Sequence, residues 1–364
     1  MTGALGTAAG TARLDQAIAA IAAAAPGLDR APRFPREAFA ELGAAGALAT
    51  TIGAARERAS VRAEWDLLCR VAAADASVGR ILDGHLNAVE RLEVGAGAAV
   101  RDRELGAVAA GERLLGVWGA DPGPGEGPAA RLRESGAGPV LRGVKTFCSG
   151  AGGIDAALVM VGADDGNAPS LALVECGAEV EVDRSWYRAA GLRASESHRV
   201  IFHDAAVGAI LGGPGELARD PWFSRDAMRT AASWAGMVDA AAAAALDELA
   251  ADRTEEPLAR LAAGRIVAAQ GTVEAWVEKA AAVADASIDP DTALEPRPTG
   301  IAMRVEIDRA AKQILEIGAA ACGSHPFATG ARLDRARRDL ETFLLQHRLE
   351  PLLTGLGAEV LARR

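Results

Sequence analysis

Two long alanine-rich segments with helical periodicity enclose a stretch, Leu141 to Val207, of short apolar runs and turn signals. Its two halves read LRGVKTFCSGAGGIDAALVMV and WYRAAGLRASESHRVIFHDAAV. Ala157–Val161 and Leu171–Val174 are continuous apolar runs, whereas Val180 to Asp183 alternates apolar and charged residues. Both patterns predict strands, and together they predict a small sheet. Helices, then a sheet, then helices again is an uncommon order, and it sets the expected fold class as α+β.

The remaining features bound what such a chain does. A length of 364 residues permits two or three domains around a sizeable core. Hydrophobic residues make up 50% of it, yet no apolar run approaches the roughly 20 residues that a bilayer-spanning helix needs. In the N-terminal AIAAIAAAAPG segment, Arg13 and Asp15 stand where a secretory signal has purely basic residues. A helix of the mature fold and a cytoplasmic location are the expectation. A net charge of -10 argues against nucleic-acid partners, whose phosphates call for a basic surface. Cys69, Cys148, Cys176 and Cys322 lie far apart with no C-x-x-C pair, which suggests neither a disulfide framework nor a metal site.

Helical pattern runs from Thr11 to about Gly111, broken by RAPRFP at Arg30 to Pro35 and near Thr50. The Gly/Pro-rich DPGPGEGP, Asp121 to Pro128, is the entry to the sheet, and LGGPGELARDPW, Leu211 to Trp222, is its exit. Beyond the exit, Met228, Ala232, Ala235 and Val238 fall at helical spacing, and the pattern continues to Leu249. Further helices are predicted over Leu258 to Ala286, Met303 to Ala321 and Leu333 to Leu345, and the four together make a bundle. The expected division is 1–113 helical, 114–213 β and 214–364 helical bundle.

The turn Lys145, Phe147, Ser149, Gly150 fits a K-x-[WF]-x-[ST]-G pattern. Asp155 and the later G-L-R-x-S-x-S with Arg193, Ser195 and Ser197 follow it, and Arg335, Arg338 and Asp339 stand in a C-terminal R-x-x-R-D signature. With these motifs the chain resembles the acyl-CoA dehydrogenase superfamily of flavoproteins over essentially its whole length. The resemblance implies an N-terminal helical domain, a middle β-domain and a C-terminal four-helix bundle, with the flavin held between the last two. It places the loop GVWGADPGPGEG, with Gly119, Asp121, Gly123 and Gly125, at the flavin pyrimidine, although Ala120 replaces the usual threonine and Glu126 the usual serine. Glycines suit that place because a backbone without Cβ can approach a planar ring closely. By the same resemblance Phe147, Cys148 and Ser149 line the isoalloxazine, where an aromatic face stacks and a hydroxyl meets the N5 edge. Arg193, Ser195, Ser197 and His198 fall on the substrate side.

In the dehydrogenases a catalytic glutamate follows the R-D signature by eight positions, and His347 stands there in this chain. The alternative glutamate position, just before an arginine on the first bundle helix, holds Met228. His85, in ADASVGRILDGHLNAVERL, resembles a histidine of the flavin-dependent monooxygenase branch, the group related to desulfurisation and amino-sugar N-oxidising enzymes. A histidine can move a proton near neutral pH, so His85 and His347 are the candidate catalytic pair. On the second bundle helix the resemblance implies flavin contacts from Arg260 or Arg265 and from Gln270, with Gly323 further on. Because ARLAAGRIVAAQ loses the family's Phe and Gly and shifts the Arg by one place, FAD or a more loosely held reduced FMN both fit. The implied enzyme is a flavin-dependent oxidoreductase that oxygenates a small molecule, served by a flavin reductase and assembled as a homodimer or homotetramer. An acyl-CoA dehydrogenase proper, and a flavin-free scaffold of the same fold, are the other readings.

Overall fold

The computed structural model describes residues 8–364 apart from 58–59, 163–167, 293 and 347. Helices α1 (Ala8–Arg30), α2 (Arg36–Ala44), α3 (Ala54–Glu57), α4 (Arg62–Ala74), α5 (Ala76–Gly95) and α6 (Ala98–Ala109) come first. Seven strands follow: β1 (Leu115–Trp118), β2 (Arg131–Ser135), β3 (Gly138–Cys148), β4 (Ala156–Val161), β5 (Ser170–Glu175), β6 (Val180–Asp183) and β7 (His198–Leu211). Helices α7 (Trp222–Ala250), α8 (Pro257–Ser287), α9 (Arg297–Cys322), α10 (His325–Ala328), α11 (Arg332–Leu344) and α12 (Leu349–Ala362) complete the chain. The architecture is α+β, as the order of patterns predicts. No helix among the described residues is long and apolar enough to cross a membrane.

Local chemistry sets the boundaries. Asp75 leaves the helical region and accepts a hydrogen bond from Val78 N at 2.9 Å, which ends α4 and caps α5. Pro257 opens α8, where its missing N–H costs nothing. Gly323, at φ +73° and ψ -163°, a conformation open chiefly to glycine, closes α9. Helix α12 was not expected from the sequence. It is held to the start of α9 by Arg297 Nη1, 2.6 Å from Glu359 Oε1, and it leaves Leu353, Val360 and Leu361 exposed.

The sheet runs β1-β4-β5-β7-β3-β2, with β6 pairing β7 outside this path. Among the described strands β1 and β4 pair in parallel, and the other ladders are antiparallel. Strand β7 organises the rest. Its first half lies between β3 and β6, and its second half pairs with β5. The bulge between Lys145 and Cys148 breaks the β3–β7 ladder at the turn of interest, and pairing resumes at Cys148 opposite His198.

Contacts divide the chain into two compact units: residues 1–59, 80–188 and 193–223, and residues 60–79, 189–192 and 224–364. In the first, Leu82, Leu86, Val89 and Leu92 of α5 are buried, as is β4 from Ala156 to Val159. In the second, α7 forms the core with Trp234, Ala231, Ala232 and Val238. Small residues let its helices come close, since a Cβ on Gly236 would lie 2.1 Å from the Cys69 carbonyl oxygen.

Candidate functional site

The loop after β1 is fastened to the end of β3 by a buried lysine. Lys145 Nζ donates to Gly119 O at 3.1 Å and to Asp121 Oδ1 at 2.8 Å. Thr146 adds N to Ala120 O at 3.0 Å and Oγ1 to Asp121 O at 3.1 Å. Glu126, which stands in the family's serine place, closes the loop instead. Its Oε2 accepts from Gly123 N and its Oε1 from the Trp186 indole, both at 2.7 Å. These bonds hold the Glu126 carboxyl below its usual pKa, so the clasp is a carboxylate. Gly125 makes the turn at φ +84°.

Beside this loop stands the least ordinary residue of the sheet. Phe147 is 60% exposed and sits at φ +51°, a conformation that bulky residues rarely adopt. Its ring neighbour among the described residues is Trp186, edge to face, with centroids 4.9 Å apart. A strained backbone that turns an aromatic ring out to solvent is a candidate binding surface, because folding alone would bury it. Cys148, next along, points inward and is fully buried. Burial pushes its thiol well above the usual range, so it stays protonated and apolar in character.

Ser149, Ser195 and Ser197 meet in one buried row. Ser149 Oγ lies 2.9 Å from Ser197 Oγ, which lies 2.8 Å from Ser195 Oγ. Gly150 N donates to Ser195 O at 2.8 Å and fixes the two segments together. Leu192 and Glu196 both have positive φ, +52° and +45°, so strain gathers here as at Phe147. His198 is 6% exposed, and neither ring nitrogen has a hydrogen-bond partner among the described residues. Tyr187 packs edge-on against it at 6.3 Å. Burial raises the Glu196 carboxyl, but the His198 ring and the Arg184 guanidinium outweigh it, and the carboxyl lies below its ordinary value. Glu196 Oε2 is 2.5 Å from Arg184 Nη1 but 3.7 Å from His198 Nε2, too far for a hydrogen bond. Arg193 is spent on the Asp29 carbonyl at the end of α1, which leaves Ser195, Ser197 and His198 as the polar groups of this patch.

His85 is in a different position from the one that the resemblance implied. It is fully buried, its Nε2 is 3.0 Å from Leu48 O, and Leu115 N donates to its Nδ1 at 3.0 Å. That pattern fixes the neutral Nε2–H tautomer, and burial lowers its pKa to about 4. A ring with both nitrogens bonded to backbone has none to offer a flavin or a substrate. This geometry supports a tie between α5, the Ala47–Ala49 turn and the start of β1.

The second unit holds the remaining candidates. Met228 is fully buried, and Arg229 beside it pairs with Glu64 at 2.5 Å. The R-x-x-R-D signature proves to be a backbone clamp. Arg338 Nη1 donates to Ala190 O at 2.7 Å, and Leu192 N donates to Asp339 Oδ1 at 2.7 Å. A Cβ on Gly191 would lie 2.0 Å from Arg338 O, which explains the G-L of G-L-R. Arg260 binds Thr254 O and Glu255, while Gln270 donates to Asp239 Oδ1 at 3.0 Å. Arg265 is exposed. His347 lies outside the described residues.

Trp186, Tyr187, Glu196 and Arg184 are marked by none of the sequence motifs. A signal existed in the composition: only 4% of the chain is aromatic and Tyr187 is its one tyrosine, yet it stands beside a tryptophan in a loop.

No family model matches the chain, and no curated protein does. Solved structures do. TdsC from Paenibacillus sp. A11-2, in complex with FMN and indole, superposes with a TM-score of 0.85 at 18% identity, covering 98% of each chain. The chain has the acyl-CoA dehydrogenase fold. The same fold is shared with methanesulfinate monooxygenase MsuC from Pseudomonas fluorescens, at TM-score 0.82, 19% identity and coverage of 97% and 96%. It is shared too with a nitrososynthase from Micromonospora carbonacea var. africana, at TM-score 0.82, 24% identity and 97% of each chain.

Proposed function

We propose that this chain is a flavin-dependent monooxygenase that oxygenates a small molecule. The observation that carries the reading is Phe147, an exposed aromatic ring in a strained turn, flanked by Trp186 and followed by the Ser149 hydroxyl. A planar heteroaromatic ring stacks on such a face and takes a hydrogen bond from such a donor. Support also comes from the FMN bound to TdsC and from the monooxygenase activity in the name of MsuC. FMN is the better fit to the residues present. Of the groups expected to hold the adenine half of FAD, Arg260 and Gln270 are engaged with Glu255 and Asp239, which leaves exposed Arg265 alone for that task.

Reduced flavin, when bound, supplies the electrons that activate O2. The protein's part is to stack the ring on Phe147, to hold the loop at Gly119–Gly127 through Lys145 and Glu126, and to keep Cys148 un-ionised. His347 is assigned proton transfer to the substrate, and a flavin reductase supplies the reduced cofactor. An acyl-CoA dehydrogenase needs a carboxylate base, and the two positions that could carry one hold His347 and Met228. Exposed Leu258, Leu261 and Val267 on α8, with Leu353 and Leu361 on α12, support a homodimer or homotetramer. The element order supports the division at 113/114 and 213/214.

The test is anaerobic mixing of flavin-loaded protein with a panel of acyl-CoAs, beside oxygen consumption with reduced FMN. No bleaching with the thioesters, and oxygen uptake that depends on the protein, is the expected result. Rapid bleaching by any acyl-CoA would replace the monooxygenase with the dehydrogenase.

A further inference from the structure

A guanidinium keeps its proton at any working pH, so burying one without an acid beside it leaves an uncompensated charge. The second compact unit contains one buried arginine with an acid and one without. Arg229 on α7 is 1% exposed, and its Nε is 2.5 Å from Glu64 Oε1, with Asp226 Oδ1 3.6 Å from its Nη1. Its charge is answered within the fold. Arg304, in the first half of α9, is 4% exposed, and its one hydrogen bond among the described residues runs from Nε to Gly300 O, one turn back on the same helix, at 3.1 Å. Burial lowers its pKa, and no nearby carboxylate opposes that shift. An arginine carries five N–H donors, and one bond leaves the four on Nη1 and Nη2 without an acceptor. Buried donors are normally satisfied.

The surroundings make a fold-only role for this charge unfavourable. Met303 and Ile307, close to Arg304 along α9, are fully buried, as is Met228 on α7, whose Cγ lies 3.3 Å from the place where Gly300 would carry a Cβ. An apolar side chain at position 304 would suit such a helix seam better than an unpaired cation. The same low-dielectric setting strengthens any ion pair formed there. Because Nε is held by the helix backbone, the edge of the guanidinium formed by Nη1 and Nη2 stays free, and that edge matches two oxygens of one oxyanion. We infer that Arg304 anchors an anion-binding site on α9 beside Gly300, taking the carboxylate, sulfonate or sulfate group of a small ligand on the free edge of its guanidinium. The site is independent of the flavin reading, because it uses neither Phe147 nor the loop at Gly119–Gly127. Its ligand is either a free inorganic oxyanion or the acidic group of an organic molecule.

The experiment is calorimetric titration of the full chain with sodium sulfate, sodium acetate and sodium benzoate in chloride buffer at constant ionic strength. One saturable site per chain is expected. Tighter binding of sulfate assigns a free inorganic ion, and tighter binding of the carboxylates assigns an organic acid. Arg304→Met should weaken the preferred anion at least ten-fold, through loss of two charge-assisted hydrogen bonds. Arg304→Lys keeps the charge without the fork, so its affinity should fall between the two, and it serves as the readout if Arg304→Met does not fold. Absence of saturable binding for all three anions would overturn the inference, as would an affinity left unchanged in the folded Arg304→Met protein or, where only that variant folds, in Arg304→Lys. A response that is linear in sulfate and common to every variant is the general effect of an excluded salt and counts as absence of binding. FMN titration of the same protein is a separate result and bears on the flavin reading alone.

Discussion

His85 and His198 are both buried imidazoles in the sheet-bearing unit, and their surroundings are opposite. His85 spends both nitrogens on backbone groups, Leu48 O and Leu115 N, at 3.0 Å each. Among the described residues His198 has no hydrogen bond on either nitrogen, although it is nearly as deeply buried. A buried polar group is normally satisfied, so the first arrangement is what stability selects and the second needs another reason. Around His85 the backbone is regular helix and strand. Two residues before His198 stands Glu196 at positive φ, and on the neighbouring strand Phe147 at positive φ. Saturation and regular geometry mark the histidine that holds the fold, while the unsatisfied His198 ring is the one we propose for a ligand.

The sharpest way to break this contrast is to remove each ring. His85→Ala strands Leu48 O and Leu115 N and leaves a cavity, and it should cost about 4 kcal/mol of stability by denaturant unfolding. A loss below about 1 kcal/mol would mean that the tie is unimportant. The pH dependence of unfolding is the next largest effect. His85 has a pKa of about 4 when folded and about 6.5 when unfolded. Between those values the unfolded chain binds the extra proton, so stability rises with pH across this window and is lost as pH falls through it. The shift corresponds to about 3 kcal/mol. Thermal midpoints from pH 4 to 7 should show this slope in the wild type and a flatter one in His85→Gln. Equal slopes would remove His85 as its source.

His198 gives the smallest change in stability. His198→Phe replaces an unsatisfied ring by an apolar one of similar shape, and stability should move by about 1 kcal/mol or less in either direction. Turnover of any substrate found should fall in the same variant. A loss of stability as large as that of His85→Ala would erase the distinction between the two sites.

Patterns that repeat within one element were readable in the chain. The alternation at Val180 to Asp183 predicts β6 to the residue, and the apolar run predicts β4 to within one position. Helix α12 was not readable, because LEPLLTGLGAEVLA carries apolar residues that do not face the core. The site was legible as motifs and not as contacts. The motif reading found Phe147 and Ser149, but the partners that give them meaning come from afar: Trp186, and Ser197 48 positions on. His85 shows the reverse case. Its resemblance to a flavin-pocket histidine was a matter of sequence context, and its actual partners lie 37 and 30 residues away on other elements. The R-x-x-R-D signature likewise acquires a physical reason only when Asp339 is seen to receive the Leu192 amide.

The claim on which the rest stands is that Phe147 is a flavin platform, and fluorescence or calorimetric titration with FMN, oxidised and reduced, tests it directly. Saturable binding by the wild type, weakened in Phe147→Ala by about 1 to 3 kcal/mol through lost stacking and buried area, is the result that this account predicts. No saturable binding of either form, or an affinity untouched by removal of the Phe147 ring, would contradict it.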